Sequence, residues 1–183
     1  MYFEHIIYSS SLAILIGMFF YRSTGRDSSW IIILCSWVPD LDHLVGLEGA
    51  IHNLGFLVIF TVLFSWFLLR FRIQLFDGIF FSAIGYGAHL VEDALAYPVG
   101  YRLLLPFSRV RVGFGVFPDV TSHGYANFFG IANTEVLLTG LFILLLAIII
   151  RTVVEGPSWI RWYMPDTFYL KLSGIVRVHP AQP

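Results

Sequence analysis

The stretch Ser36-Trp37-Val38-Pro39-Asp40-Leu41-Asp42-His43 places two carboxylates and an imidazole at the end of a strongly apolar run. Proline disfavours helical geometry in the residue before it and often ends or kinks a helix, so Pro39 predicts a helix end here. A charged side chain at the bilayer centre costs about 2.5–3.5 kcal/mol on insertion scales, and such residues usually mark function. Carboxylates and imidazoles also bind zinc and similar metals. The stretch therefore predicts a polar site near a membrane surface.

The composition of the chain indicates an integral membrane protein. Of its 183 residues, 57% are hydrophobic and 13% are charged, and the mean hydropathy is +0.77. Because a soluble domain carries about 25% charged residues, we expect an all-α, polytopic integral membrane helical bundle. The net charge of −1 and the lack of a basic run predict no nucleic-acid partner. Cys35 is the only cysteine of the sequence, so we expect no intramolecular disulfide.

Apolar segments that suit membrane helices recur along the chain. A transmembrane helix needs about 20 mostly apolar residues, and the pattern predicts about five transmembrane or membrane-embedded helices, the second of them short or broken at Pro39. The predicted helices cover residues 5–21, 30–47, 52–69, 75–97 and 134–154. No basic region precedes the first helix and no small-residue cleavage site follows it, so we predict a retained helix and not a signal peptide.

Two further segments differ from the helices in composition. Residues 98–133 are rich in glycine, proline and aromatic side chains, and this predicts a long ordered loop between the fourth and fifth helices. Trp159 and Arg161 belong to a tail whose composition suits the membrane interface. We therefore expect one membrane-embedded helical domain over residues 1–156 and an interfacial tail over residues 157–183.

Basic residues predict the orientation of the chain in the membrane. With five crossings, eight arginine and lysine residues fall on one side, whereas Arg102, Arg109 and Arg111 fall on the other. The larger group predicts the cytoplasmic side of a cell (inner) membrane, with the N-terminus outside. This topology requires the second segment to cross the membrane completely.

The same topology brings histidine and aspartate residues from four helix ends to the extracytoplasmic face. They are His5 in the first helix, Asp40, Asp42 and His43 at the end of the second, His52 at the start of the third, and His89 and Asp93 in the fourth. His89 and Asp93 are four residues apart and share one helix face, which suits two ligands of one metal. Helical bundles build metal sites by this kind of convergence.

Each of these residues also has a simpler interpretation. His5 and His52 suit exposed helix starts, and His89 with Asp93 suits a hydrogen-bonded pair between helices. His43 fits a hydrated residue beside the site better than a ligand. The convergence of all of them is more specific than any single residue.

The order and spacing of these blocks resemble the membrane-bound metal-dependent hydrolase family of YdjM-like proteins over residues 1 to about 118. The blocks are Glu4-His5, Pro39-Asp40-Leu41-Asp42-His43, His52-Asn53-Leu54, Gly85-Tyr86-Gly87-Ala88-His89-Leu90-Val91-Glu92-Asp93 and residues 100–107. The family is distantly similar to zinc phospholipase C and related single-strand nucleases. Those proteins are helical and bind clustered zinc ions through His and Asp.

The resemblance implies a metal cofactor and its ligands. The implied metal ligands are His5, Asp40, Asp42, His52, His89 and Asp93, with His5 facing a neighbouring metal that shares Asp93. The cofactor would be a divalent metal in one to three copies, zinc first, with manganese or iron as alternatives. Whichever of Asp40 and Asp42 does not bind directly would orient a water or a ligand histidine. Relatives hold a further metal through later His and Glu residues, but no motif ties His123 or Glu135 to that role.

The chain departs from the family pattern at two places. The family often carries a His-Arg pair shortly before the histidine equivalent to His52, whereas this chain has Glu48-Gly49-Ala50-Ile51. The family often has threonine three residues after the equivalent of Asp93, whereas this chain has Ala96. Both departures affect the expected activity more than the expected fold. Glu92 lies on a different helix face from His89, which favours a solvent-facing role or support of a ligand.

Residues and resemblance together predict a membrane-embedded metal-dependent hydrolase, with Asp40 and Asp42 as catalytic residues. We expect it to cleave a phosphoester of a lipid or lipid-linked substrate at the outer membrane surface. Arg102, Arg109 and Arg111 follow Asp93 in the loop, and guanidinium groups bind phosphate oxygens in bidentate fashion. They are therefore candidates for binding the head group of the substrate, with anchoring of the loop to lipid as the alternative.

Two other functions fit parts of the pattern. An ion or proton transporter needs ionisable residues across the bilayer, but the sequence offers only Asp27 and Asp77 on the inner half. A non-enzymatic membrane protein could use a structural metal to hold its helices together. Such a metal would have no open coordination position.

Overall fold

The computed structural model describes residues 2–44, 46, 49–116 and 134–163. These residues form the helices α1 (Tyr2–Thr24), α2 (Trp30–Cys35), α3 (Leu41–Leu44), α4 (Leu54–Leu68), α5 (Leu75–Ala96) and α6 (Thr134–Glu155), and 3-10 helices at Leu69–Phe71 and Pro157–Tyr163. The described part of the chain contains no strand, only an isolated β-bridge between Tyr101 and Val112. The expectation of an all-α chain is confirmed.

Among the residues that the structure describes, three helical segments are long and apolar enough to cross a membrane, and the expected count of about five is not confirmed. The three segments are Glu4–Thr24, Leu54–Phe71 and Thr134–Glu155. α2 rises only about 9 Å, far less than the hydrocarbon core of about 30 Å. The count of basic residues assumed that this segment crosses the membrane, so it no longer fixes the side on which the polar site lies.

The early end of α2 follows from Pro39. Proline has no N–H for the carbonyl of Cys35, and its ring would clash with that carbonyl in a continuing helix. The helix ends at Cys35, and turns lead through the aspartates to α3. The carbonyl of Ser36 is thereby released from helical hydrogen bonding and becomes available to a side chain.

The helices pack in two layers around a small apolar core. α1 runs along α6, whereas α5 lies against both α4 and α2. Ala13, Ile31, Ile32, Leu68 and Phe81 are buried together between α1, α2, α4 and α5. This packing brings the start of α1, the end of α2, the start of α4 and the end of α5 to the same end of the bundle.

A glycine sets the approach of α5 to α2, and its replacement should destabilise the fold. A Cβ atom on Gly85 would lie 2.3 Å from the carbonyl oxygen of Ile32. Because that neighbour is backbone, we expect Gly85→Ala to lower the free energy of unfolding by about 1–3 kcal/mol. The measurement is the thermal midpoint in detergent.

Gly87 provides the matched control on the same helix. A Cβ atom there meets only the end of the Leu57 side chain, at 3.7 Å. Gly87→Ala should therefore be neutral or stabilising, because alanine favours helices by up to about 1 kcal/mol over glycine. Equal midpoints for the two variants would show that α2 does not pack closely on α5.

A buried arginine of α6 forms ion pairs at the end of the bundle opposite the polar residues. The Arg151 side chain is fully buried and donates to Asp27 at 2.7 Å and to Glu155 at 2.9 Å. Its guanidinium lies 5.1 Å from the ring centroid of Trp159 in the Pro157–Tyr163 helix. The first residues of the predicted interfacial tail thus pack on the bundle, and residues 164–183 lie outside the described chain.

The segment after α5 folds back over the end of the bundle that carries the polar residues. The Leu54 and Gly55 N–H groups, at the start of α4, donate to the carbonyls of Leu103 and Leu105 at 2.8 and 2.9 Å. The Phe114 N–H donates to the carbonyl of Ala94 in α5 at 2.7 Å. Residues 97–116 are thus attached to both helices, whereas the rest of the predicted loop, residues 117–133, lies outside the described chain.

Candidate metal centre

Side chains from four helix ends converge on one small space. The Nε2 atoms of His52 and His89 lie 3.3 Å apart. Asp93 Oδ2 is 3.3 Å from His89 Nε2 and 3.5 Å from His52 Nε2. Asp40 Oδ1 is 3.7 and 3.8 Å from the same two nitrogens. The chain thereby brings together two imidazoles and two carboxylates that are up to 53 positions apart in the sequence.

These separations match the donor set of a small metal ion. Zinc binds nitrogen and carboxylate oxygen at about 2.0–2.2 Å, so tetrahedral ligand atoms lie about 3.3–3.6 Å apart. The described residues offer three overlapping groups with suitable ligand atoms: His52, His89 and Asp93; His5, Asp40 and His89; and Asp40, His43 and His52. Asp40 belongs to two of these groups, whereas Asp42 belongs to none.

His5 approaches the same space from α1. Its Nε2 atom lies 3.5 Å from Asp93 Oδ1, the oxygen of that carboxylate that is not directed at His52 and His89. The His5 ring also stacks on His89, with centroids 3.9 Å apart. The two oxygens of Asp93 thus face different histidines, Oδ2 facing His52 and His89 and Oδ1 facing His5.

Each of the three histidines is held through Nδ1, which leaves Nε2 facing the centre. His89 Nδ1 lies 2.7 Å from the Ser36 carbonyl, His52 Nδ1 lies 3.0 Å from Asp42 Oδ2, and His5 Nδ1 lies 2.5 Å from Glu92 Oε2. Carbonyl and carboxylate oxygens can only accept, so each Nδ1 carries a proton and donates it. The Nε2 lone pairs of neutral rings therefore point at one another, an arrangement that a cation between them stabilises.

The negative charge of the cluster also favours a bound cation. Asp42 and Asp93 are almost completely buried, and no lysine or arginine in the described part of the chain forms an ion pair with them or with Asp40. Asp93 Oδ2 and Asp42 Oδ1 are buried without a hydrogen-bond partner among the described residues. Because buried carboxylates without a positive partner are costly, these residues fit a bound divalent metal.

The pKa shifts of one histidine and one aspartate show how the cluster favours positive charge. Burial alone would lower the pKa of His52, but the carboxylates of Asp40, Asp93 and Asp42 raise it above its usual value. Burial would raise the pKa of Asp40, but His52 and His89 hold it below its usual value. A proton or a metal is therefore favoured between these rings, and the two compete for the same nitrogens.

Several predicted residues lie outside this cluster. His43 is at its edge, with Nε2 3.9 Å from Asp40 Oδ1 and 3.8 Å from Asp42 Oδ1. Arg102, Arg109 and Arg111 are exposed, and none of them contacts the cluster within the described residues. Glu135 is exposed in the first turn of α6, and His123 lies outside the described residues.

Two neighbours of the cluster were not among the predicted site residues. Glu92 accepts the hydrogen bond that orients His5, a role that its different helix face had left open. The Tyr101 ring stacks on His52, with centroids 4.3 Å apart and an interplanar angle of 16°. Tyr101 carries no motif of its own, and it reaches the site only because residues 97–116 fold back onto α4.

The carboxylates that orient the histidines should matter for metal affinity. Asp42→Asn and Glu92→Gln keep the shape of each side chain but remove its charge from His52 or His5. We expect each change to weaken metal binding by about 10–100-fold, the range for residues that support metal ligands. The measurement is a metal titration against a competing chelator.

Glu135→Gln is the control for this titration, because it removes an exposed carboxylate at the end of α6 that is nearest the site. It should leave the affinity unchanged. If Asp42→Asn and Glu92→Gln also bind metal as tightly as the wild type, the two carboxylates do not support the cluster.

The family comparison agrees with the sequence motifs. The family model described as YdjM inner membrane protein matches residues 1–157, which extends the resemblance beyond residue 118. No curated protein and no solved structure matches the chain significantly, so the similarity to zinc phospholipase C is not confirmed. The matched region contains every residue of the cluster and all three apolar spans. The chain belongs to the YdjM inner membrane protein family.

Proposed function

We propose that the chain is a membrane-embedded, metal-dependent hydrolase that cleaves a phosphoester of a lipid or lipid-linked substrate. The observation that carries this proposal is the convergence of the Nε2 atoms of His52 and His89 on the unpartnered Asp93 Oδ2, at 3.3–3.5 Å. Zinc suits this mixed nitrogen and oxygen set best, with manganese and iron as alternatives.

The residues of the cluster divide into ligands and positioning residues. His52, His89, Asp93 and Asp40 would hold the metal, and His5 would bind a second one across Asp93. Asp42 would act through His52, since its carboxylate accepts the Nδ1 proton and aims the opposite nitrogen inward. A divalent metal at this site would lower the pKa of its water from about 15.7 to about 7 and polarise a phosphoryl oxygen.

Asp40 marks the side from which a substrate can approach. Its side chain is 15% exposed, whereas those of His52 and His89 are fully buried. A substrate head group entering there would meet Asp40 first, which gives this carboxylate the best position for orienting an attacking water. Asp40 would therefore combine metal binding with a catalytic role.

Two arginines next to the bridge that holds Tyr101 are candidates for binding a phosphate group. Tyr101, which stacks on His52, forms an antiparallel bridge with Val112. Arg102 and Arg111 are the adjoining residues on the two sides of this bridge, and both are exposed. Like charges on facing positions repel each other, and a bound anion would offset that repulsion. We therefore favour Arg102 and Arg111 over Arg109 for binding the head group.

The test is hydrolysis by the purified protein in detergent, after loading with zinc, manganese or iron. The substrates are a soluble phosphomonoester, a soluble phosphodiester and a phospholipid. We expect phosphate or head-group release that disappears with a chelator and returns with the metal. Loaded protein that cleaves none of the three would contradict the phosphoester proposal.

A structural metal is the second candidate, because the cluster is almost closed. His5, His52, His89 and Asp93 are each at most 3% exposed, so only the Asp40 side offers access. If the metal is structural, metal binding would raise the unfolding temperature of the protein. The bound metal would then neither exchange a water ligand nor bind inorganic phosphate.

A further inference from the structure

An apolar groove runs along α5 beside the cluster. It lies between α1 and α5 and has a volume of about 800 Å³, within the range of about 300–1,000 Å³ that is typical of small-molecule sites. Leu12 and Leu15 of α1 form one side, and Ala83 and Val91 of α5 form the other. Leu104, from the segment after α5, also lines it.

The polar side chains of the groove lie mainly at the end near the cluster. Glu92 lines the groove, and its carboxylate accepts the hydrogen bond from His5 Nδ1. Tyr8 lies one turn beyond His5 on α1 and also lines the groove, with its hydroxyl donating to the Val136 carbonyl at 2.9 Å. Glu92 thus contacts both the groove and His5, so one end of the groove lies next to the cluster.

The length of the groove suits one hydrocarbon chain. On α5 its lining extends from Ala83 to Leu95, twelve steps that rise about 18 Å along the helix. Half of a hydrocarbon core of about 30 Å is about 15 Å, the depth that one lipid tail fills. An apolar groove of this length within a membrane bundle matches a single tail better than a compact ligand.

We propose that this groove is the chain-binding subsite of the enzyme, and that it holds the hydrocarbon tail of an amphiphilic substrate whose phosphate head group lies at the end of the groove next to the cluster. This inference rests on the proposed function and deepens it. It makes a membrane amphiphile the substrate and separates the recognition of its tail from the chemistry at its head group.

The test is photo-crosslinking with hexadecyl phosphate that carries a diazirine at the end of its chain. Labelled peptides from metal-loaded protein in detergent are identified by mass spectrometry. We expect labelling of α1 and α5 peptides that contain Leu12, Leu15 or Ala83, and competition by unlabelled hexadecyl phosphate but not by ethyl phosphate. The readout is binding, so it does not depend on turnover.

Variants separate the groove from the rest of the lipid-facing surface. Ala83→Phe and Val91→Trp would fill the groove and should reduce the labelling at least about tenfold, the equivalent of about 1.4 kcal/mol. Val62→Trp is the matched control, because Val62 on α4 is 55% exposed, Val91 is 57% exposed, and only Val91 lines the groove. The Val62→Trp variant should be labelled to the same extent as the wild type.

The outcomes distinguish this inference from the proposed function. Labelling spread over the outer faces of the helices, or labelling unchanged in both groove variants, would overturn the subsite, whatever the metal content. Absence of groove labelling in the wild type would also overturn the subsite, because another part of the protein would then occupy the groove. Failure of the hydrolase proposal would appear separately, as loss of metal binding or of phosphoester cleavage with groove labelling intact.

Discussion

Replacing His89 with alanine is expected to reduce phosphoester hydrolysis to the level of the chelator-treated protein. His89 Nε2 lies within 3.3–3.7 Å of His52, Asp93 and Asp40, so its loss removes one side of the donor set. The rate of hydrolysis by metal-loaded protein at fixed substrate concentration is the measurement, with circular dichroism as the check that the helices remain.

His179→Ala is the control for this prediction, because it is the same chemical change beyond the residues that match the family. It should retain the wild-type rate. A wild-type rate in folded His89→Ala would contradict the assignment of His89 to the metal site. Equal loss in both variants would point to a general effect of handling the protein.

Replacing Arg151 with methionine is expected to cost about 3–5 kcal/mol of stability. Arg151 is fully buried, and its removal would leave the Asp27 carboxylate inside the bundle without its cation. A buried charge that loses its partner typically destabilises a protein by this amount. The measurement is the free energy of unfolding in detergent, or the thermal midpoint where unfolding is irreversible.

A double variant tests whether the pair itself carries this effect. Arg151→Met with Asp27→Leu removes both charges and should recover a large part of the loss, since apolar replacements of buried ion pairs are often neutral. Arg161→Met, which changes an exposed arginine near the same end of the bundle, should be close to neutral. A double variant that is less stable than Arg151→Met would contradict this account.

The convergence of histidines and aspartates could be predicted from the sequence because these residues lie at helix ends. Pro39 ends α2 just before the aspartates, and Asn53 caps α4 just after His52 by accepting from the Phe56 N–H at 2.9 Å. Local signals of this kind are readable without the fold. They indicate which ends carry ligand-type residues, and helix order then indicates which ends meet.

The same signals do not give the lengths of the helices. The apolar pattern of residues 30–47 suggested a membrane span, but Pro39 limits α2 to six residues. Hydropathy reports how apolar a segment is, whereas a single proline decides whether the backbone can continue. The predicted orientation depended on that span and therefore lost its support.

Contacts between residues that are far apart in the sequence were the hardest features of the structure to predict. Asp27 and Arg151 are 124 positions apart. From the sequence, Asp27 was considered only as an ionisable residue on the inner half of the membrane and Arg151 only as one of the basic residues that set the orientation. Their pairing depends on how α6 packs on α1, which no local pattern encodes. Tyr101 was missed as a neighbour of the site, and the role of Glu92 was left open, for the same reason, because their roles come from other segments that approach them.

The most direct test of the account is the metal content of the protein, purified in detergent without added metal and measured by elemental analysis. The account predicts one or more equivalents of zinc, manganese or iron per chain. It also predicts the loss of that metal in His89→Ala and in Asp93→Asn, with the helical circular dichroism signal retained. Wild-type protein that holds no metal, even after reconstitution with each of these ions, would contradict it, and His89 and Asp93 would then be a pair that only packs helices together.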